Sequence, residues 1–108
     1  MAIVDNNGRQ IDGNIEKVMS PYPIVDKLVA FGLHVIPVDG HNFDELEAAF
    51  AEAKTVKGKP TAIVMTTVKG KGVSFMENNA GWHGKSTNPA EFEVAMTELK
   101  AALAELEA

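Results

Sequence analysis

Apolar positions in this chain come in short blocks separated by glycine, proline and amide breaks. Ala2-Ile3-Val4 is a brief apolar run that stops at Asp5-Asn6-Asn7-Gly8, the pattern of a strand running into a turn. Residues 6–22 read as loop, broken by Gly8, Gly13 and Pro21, with a short helical turn over 14–19. A helix is predicted over 23–31: proline suits the first helical position, Ile24, Leu28 and Phe31 share a face, and Gly32 can close the end. His34-Val35-Ile36-Pro37-Val38 is a strand bounded by Asp39-Gly40, and Pro37 demotes it to a sheet edge or strand end. Asn42 opens the clearest helix, with Glu45 as its capping-box partner and Phe43, Leu46, Phe50 and Ala53 at helical spacing. Lys57-Gly58-Lys59-Pro60 ends it. Thr61 to Thr67 is a near-continuous β-branched and apolar run, as expected of a strand buried on both faces. A glycine-rich loop follows from Lys69 to about Thr87. Asn88-Pro89 with Glu91 starts a last helix whose stripe is Phe92, Met96, Leu99, Leu103 and Leu106.

The alternation of strand and helix implies an α/β fold with a short parallel sheet of about three strands, flanking helices and right-handed crossovers. So narrow a sheet has two open edges, which points to missing neighbours. At 108 residues there is one domain at most. A hydrophobic fraction of 45% argues against disorder, and a net charge of −5 disfavours nucleic acid and anionic membrane as partners. No run approaches a membrane span and no basic-then-apolar leader opens the chain, so a soluble cytoplasmic protein is expected. The absence of cysteine removes disulfides and thiolate metal sites.

Candidate chemistry sits in the loops after the strands, where parallel α/β sheets bind ligands. After the first strand, the Asn7 side-chain amide and the Arg9 carbonyl can converge, because Gly8 permits a turn that a Cβ would hinder. Two such oxygens beside a diphosphate suit magnesium. Asn-Gly is equally an ordinary turn signal, and these residues alone leave both readings open. Lys69-Gly70-Lys71-Gly72 pairs cations with backbone amides that can cradle a phosphate, or is a solvated basic turn. In Ala80-Gly81-Trp82-His83-Gly84-Lys85 the only tryptophan adjoins a histidine able to accept or give a proton near neutrality, or one held structurally by a carbonyl. His34, in a strand, and His41, in a turn before a helix cap, read as structural. Gly84-Lys85-Ser86 is no Walker loop, since Asn79 replaces its leading glycine, and Gly70-x-Gly72 lacks a third glycine at Phe75.

Together these loops resemble the thiamine diphosphate-dependent transketolases. The matching segments are IVDNNGRQIDG (3–13), FGLHVIPVDGHNFDEL (31–46), KGKPTAIVMTTVKGKGVSFMEN (57–78) and GWHGK (81–85), and they span nearly the whole chain. Their joint order and spacing carry the likeness. The region is similar to the later half of the diphosphate-binding domain, most of all in the N-terminal chain of two-chain transketolases. The resemblance implies a partial three-layer sandwich over residues 1–108. It also implies thiamine diphosphate and Mg2+ as cofactors, sugar-phosphate substrates, and transfer of a two-carbon ketol unit. Asn7 and Arg9 match the metal ligands. Gly8, Ile11, Lys69, His83 and Lys85 fall at cofactor-binding positions, Ile11 near the thiazolium ring, and His83 also approaches the sugar as the catalytic residue. Ala80 stands where some members carry a second histidine.

The family's metal-binding aspartate lies in a Gly-Asp-Gly that does not precede Asn7 here. The expectation is therefore a partial domain, silent alone, that works with a C-terminal transketolase section or subunit in a homo- or hetero-oligomer. A sibling enzyme such as deoxyxylulose-phosphate synthase and a non-catalytic α/β interaction module are the alternatives.

Overall fold

The computed structural model describes every residue from Met1 to Ala108. Three strands, β1 (Ala2–Asn6), β4 (His34–Asp39) and β5 (Thr61–Thr66), form a parallel sheet in the order β1-β5-β4. Val4 and Pro37 both pair with Val64, so the strands end nearly level and their loops share one edge of the sheet. β4 is an edge strand, which is where Pro37, lacking an amide hydrogen, is tolerated.

The central strand is the anchor. Thr61, Ala62, Ile63 and Val64 are all buried, as expected for a strand covered on both faces. Ile36 of β4 and Ile63 of β5 face α3 (Phe43–Thr55), where Ala49 is buried between them and Val38, Met65, Phe50 and Ala53 pack around. α2 (Ile24–Ala30) also lies against β4. The two crossovers run in opposite directions along the sheet, and right-handed connections then set α2 and α3 on opposite faces.

Local signals account for the helix ends. Asn42 caps α3 by accepting from the amides of Asp44 and Glu45, and Asn88 forms a complete capping box with Glu91 at the start of α4 (Pro89–Leu106). Gly32, at φ +85°, closes α2 with Gly32 N donating to Val29 O and Leu33 N to Leu28 O.

Several expectations need correction. Pro23 is the cap residue of α2 and not its first turn. Phe31 caps the other end and is 82% exposed, and Phe43, at the first position of α3, is 86% exposed, so neither joins an inward stripe. The segment after β1 is not plain loop. Arg9–Gln10 (β2) and Gly13–Asn14 (β3) make a small antiparallel hairpin, and Asn14 then caps α1 (Ile15–Met19). A 3-10 turn over Ala80–Trp82 precedes α4.

The molecule is thin. Its radius of gyration is 16.9 Å, against about 13 Å for a compact domain of this length. Only 8 of 108 residues are buried, so the sheet and its helices enclose a core on one patch and leave broad apolar faces open.

Candidate functional site

A cleft of about 230 Å³ opens at the carboxyl end of the sheet, lined by Asn7, Arg9, Gln10, Ile11, Lys69 and His83. Three separate segments build it. The first is the turn leaving β1. Asn6 and Asn7 are adjacent amides with different fates: Asn6 Oδ1 accepts from the Tyr22 hydroxyl at 2.8 Å, whereas Asn7 faces the cleft. Asn7 Oδ1 accepts the Arg9 amide at 2.9 Å, which leaves one of its two lone pairs free. Gly8 adopts φ +67° to make this turn, and its carbonyl accepts from Ile15 N at 3.1 Å. The β2–β3 hairpin then holds Ile11 at its tip, an exposed apolar side chain on the cleft wall. Asp5 stays out of the site, accepting a hydrogen bond from the Thr67 hydroxyl.

The second segment is the loop after β5. It folds back on itself: Asn78 N donates to Lys69 O at 2.9 Å, and Gly70, at φ +72°, passes so close to the Met76 carbonyl that a Cβ would sit 2.6 Å from its oxygen. Part of the amide row over residues 69–72 is taken up within the loop, which leaves the Lys69 and Gly70 amides as the ones without a partner in the chain. Lys71 N donates to Val68 O, Val73 N to Gly70 O and Gly72 N to Glu77 Oε1. Lys71 itself lies 3.8 Å from Glu77. Lys69 is the lysine of the pair that reaches the cleft.

The third segment carries His83. Trp82 locks it to the second loop: the indole N–H donates to Phe75 O at 3.0 Å and the two rings lie 5.2 Å apart. The tryptophan is thus a bolt between two site loops. His34 is tied to Glu52 at 2.5 Å and His41 accepts from Val68 N at 2.8 Å, as expected of structural residues. His83 is exposed on the cleft, so its ring is available to a ligand. Lys85 lies elsewhere: its ammonium sits 3.9 Å above the Trp82 ring and 3.1 Å from Glu91. Asn88 N–H and then Lys85 hold the Glu91 carboxyl below its ordinary value.

The lining contains two cations, Arg9 and Lys69, and no carboxylate. In a chain of net charge −5 this is a local reversal of sign, suited to an anion. The apolar Ile11 and the amides of Asn7 and Gln10 add a surface for a ring and oxygen or hydrogen donors for its attachments. A diphosphate joined to an aromatic ring fits this donor set. Gln10 went unrecognised in the sequence, although Gly13, its partner across the Ile11-Asp12 turn, was a usable turn signal. No three His, Cys, Asp or Glu side chains come together as a metal cluster.

Comparison with known proteins shows the family. Residues 1–104 match the family described as transketolase, thiamine diphosphate binding domain. The chain is 40% identical over 100 residues to the 6-deoxy-6-sulfo-D-fructose transketolase subunit SqwG of Clostridium sp. (strain MSTE9), covering 93% of this chain and 36% of that protein. It is 35% identical over 107 residues to one of the subunits of the apulose-4-phosphate transketolase of Phocaeicola vulgatus, covering 99% and 38%. A crystal structure of Pichia stipitis transketolase in complex with sedoheptulose-7-phosphate superposes with a TM-score of 0.70 at 25% identity, over 98% of this chain and 20% of that one. The chain thus spans little more than a third of these two curated relatives. Family model, relatives and fold agree: the chain belongs to the transketolase family, through its thiamine diphosphate-binding domain.

Proposed function

We propose that this chain supplies one wall of a transketolase site that moves a two-carbon ketol unit between sugar phosphates in the cytoplasm. The observation that carries this reading is the gathering of Asn7, Arg9, Ile11, Lys69 and His83, drawn from three separate segments, into a single cleft. Thiamine diphosphate supplies the carbanion chemistry when bound. The chain's residues bind and orient. Asn7, through the free lone pair of Oδ1, and Arg9, through its carbonyl, hold Mg2+, with Gly8 setting the turn between them. Lys69 neutralises the diphosphate, and Ile11 excludes water beside the thiazolium ring. His83 hydrogen-bonds cofactor and sugar and handles a hydroxyl proton. Lys85 acts on the site indirectly, by bracing Trp82, the residue before His83.

The cleft lining has no carboxylate for the metal, so residues 1–108 make a partial domain that is catalytically silent alone. Its partner is a C-terminal transketolase section or subunit within an oligomer. Both relatives described above are named as subunits of transketolases acting on sugars with an anionic group, which supports the same substrate class here.

Calorimetry of the isolated chain with thiamine diphosphate and Mg2+ is expected to give no micromolar isotherm, and the assembled protein is expected to give one. In the assembled protein, Lys69→Met should weaken cofactor binding by about 10- to 100-fold, and His83→Ala should lower kcat by about 100-fold or more. A tight isotherm from the chain alone, or wild-type kinetics in both variants, would rule the reading out. Assays of the assembled protein with sugar phosphates separate this reading from the deoxyxylulose-phosphate synthase alternative, which failure to transfer a ketol unit between them would favour.

A further inference from the structure

We infer that His41, which does not line the cleft, is a positioning residue for Lys69 and so for the diphosphate end of the ligand. The inference rests on the reading just proposed. β4 ends in Asp39-Gly40, and Gly40 N donates to Thr66 O at 2.8 Å, pressing the end of β4 against the end of β5. There is no room for a side chain at that point: a Cβ on Gly40 would lie 2.9 Å from Met65 Cβ, and closer still to the Thr67 methyl. This close approach delivers the next residue, His41, across to the chain leaving β5. Its Nε2 accepts the Val68 amide at 2.8 Å.

The imidazole is fixed at its base. His41 N donates to Asp39 Oδ1 at 2.9 Å, Asn42 N donates to Asp39 O at 3.1 Å, and Glu45 Oε2 accepts the Asp39 amide at 2.8 Å. Asn42 is in turn the cap of α3. The first turn of α3 and the site loop are therefore mechanically joined through one ring. To accept from an amide the ring must be neutral with its proton on Nδ1.

Val68 is where the sheet's own restraint runs out. Thr67 N still donates to Asn6 O at 3.3 Å, and the bonds beyond it are the loop's own, Lys71 N on Val68 O at 3.2 Å and Asn78 N on Lys69 O at 2.9 Å. The His41 contact fills the gap between the sheet bond and these, one residue before the lysine that enters the cleft. The open hollow beside His41, lined also by Asp39, Glu45, Thr67 and Lys71, is not a second ligand site. Its carboxylates, hydroxyl and imidazole are already engaged in bonds within the chain.

The test uses the assembled enzyme. His41→Ala should raise the Kd and KM for thiamine diphosphate by about 5- to 10-fold, since an exposed amide finds only water as a substitute acceptor. kcat at saturating cofactor should stay within about 2-fold, because the lost interaction acts on binding. His41→Gln, whose side-chain oxygen accepts from an amide, should recover most of the affinity. Ile63→Val, a core change away from the loops, should lower thermal stability and leave the cofactor Kd unchanged. Without cofactor, amide hydrogen exchange over residues 68–71 should speed up in His41→Ala and not in Ile63→Val. Wild-type affinity and exchange in His41→Ala, or an equal loss of affinity in Ile63→Val, would overturn the positioning role alone. Failure of the parent enzyme to bind thiamine diphosphate would overturn the site reading and this role with it.

Discussion

Gly70 and Gly8 share a left-handed backbone, at φ +72° and +67°, but they occupy different surroundings. A Cβ on Gly8 meets nothing within 4 Å, whereas one on Gly70 meets the Met76 carbonyl oxygen at 2.6 Å. Gly8→Ala should therefore cost about 1 kcal/mol, from the backbone angle alone. Gly70→Ala should cost about 2–4 kcal/mol, because the loop carrying Lys69 must also move. Urea midpoints of the two variants, measured side by side, check this; equal losses would mean that the loop yields freely. The same contrast runs through the site. Asn6 and Asn7 are identical in the sequence, and it is Tyr22, distant along the chain, that takes Asn6 and leaves Asn7 to the cleft. Lys69 and Lys71 are equally alike until Glu77 lies down beside Lys71.

Among the elements, α4 is the one most clearly announced and least enclosed. Its cap behaves as the pattern Asn88-Pro89-x-Glu91 requires. Its stripe does not: Ala95 is buried, while Phe92, Leu99, Leu103 and Leu106 remain substantially exposed. A polar contact also ties α4 to the site loop. Ser74 donates to Glu98 from its amide at 2.7 Å and from its hydroxyl at 2.5 Å, and the hydroxyl bond followed by the amide bond hold the Glu98 carboxyl below its ordinary value of 4.5. A carboxylate whose pKa is depressed by folding adds stability above its unfolded pKa, and that stability disappears as pH falls through the folded value. The attachment of α4 should therefore hold at neutral pH and weaken on acidification below about pH 4.5. Glu98→Gln should flatten this acid limb in the helical circular dichroism signal; an acid limb identical to that of the parent would exclude Glu98 as its source. Glu91 titrates in the same direction and contributes a residual slope at the cap.

At the scale of the molecule, surface is the telling quantity. The chain exposes 7406 Å², against about 5,800 Å² for a compact protein of this mass. The excess, roughly 1,600 Å², is about what one partner contributes to an obligate interface. Ile3 on the open edge strand, Val29 and Phe31 on α2, and the α4 stripe all contribute apolar area to it. The isolated chain should accordingly bind a hydrophobic dye strongly and, if the proposed assembly is right, lose that signal when its partner section or subunit is added. A dye-negative monomer that unfolds cooperatively would favour a self-sufficient interaction module instead.

The elements and the family were legible in the residues alone. Period and capping residues marked β1, β4, β5, α2, α3 and α4, because hydrophobic spacing and helix caps act over a few residues. The loop motifs carried the family resemblance, because glycines, amides and cations at loop positions are set by the ligand they serve. Folding in three dimensions supplied the partners that set like residues apart. The resemblance had already singled out Asn7 and Lys69, and the fold shows what occupies their neighbours: Tyr22 engages Asn6 and Glu77 lies beside Lys71, while Lys85, expected at the cofactor, sits over Trp82 and beside Glu91. Folding also chose which apolar faces are covered: Phe31 and Phe43 fit a helical stripe in the sequence, yet a stripe is buried only where another layer lies against it.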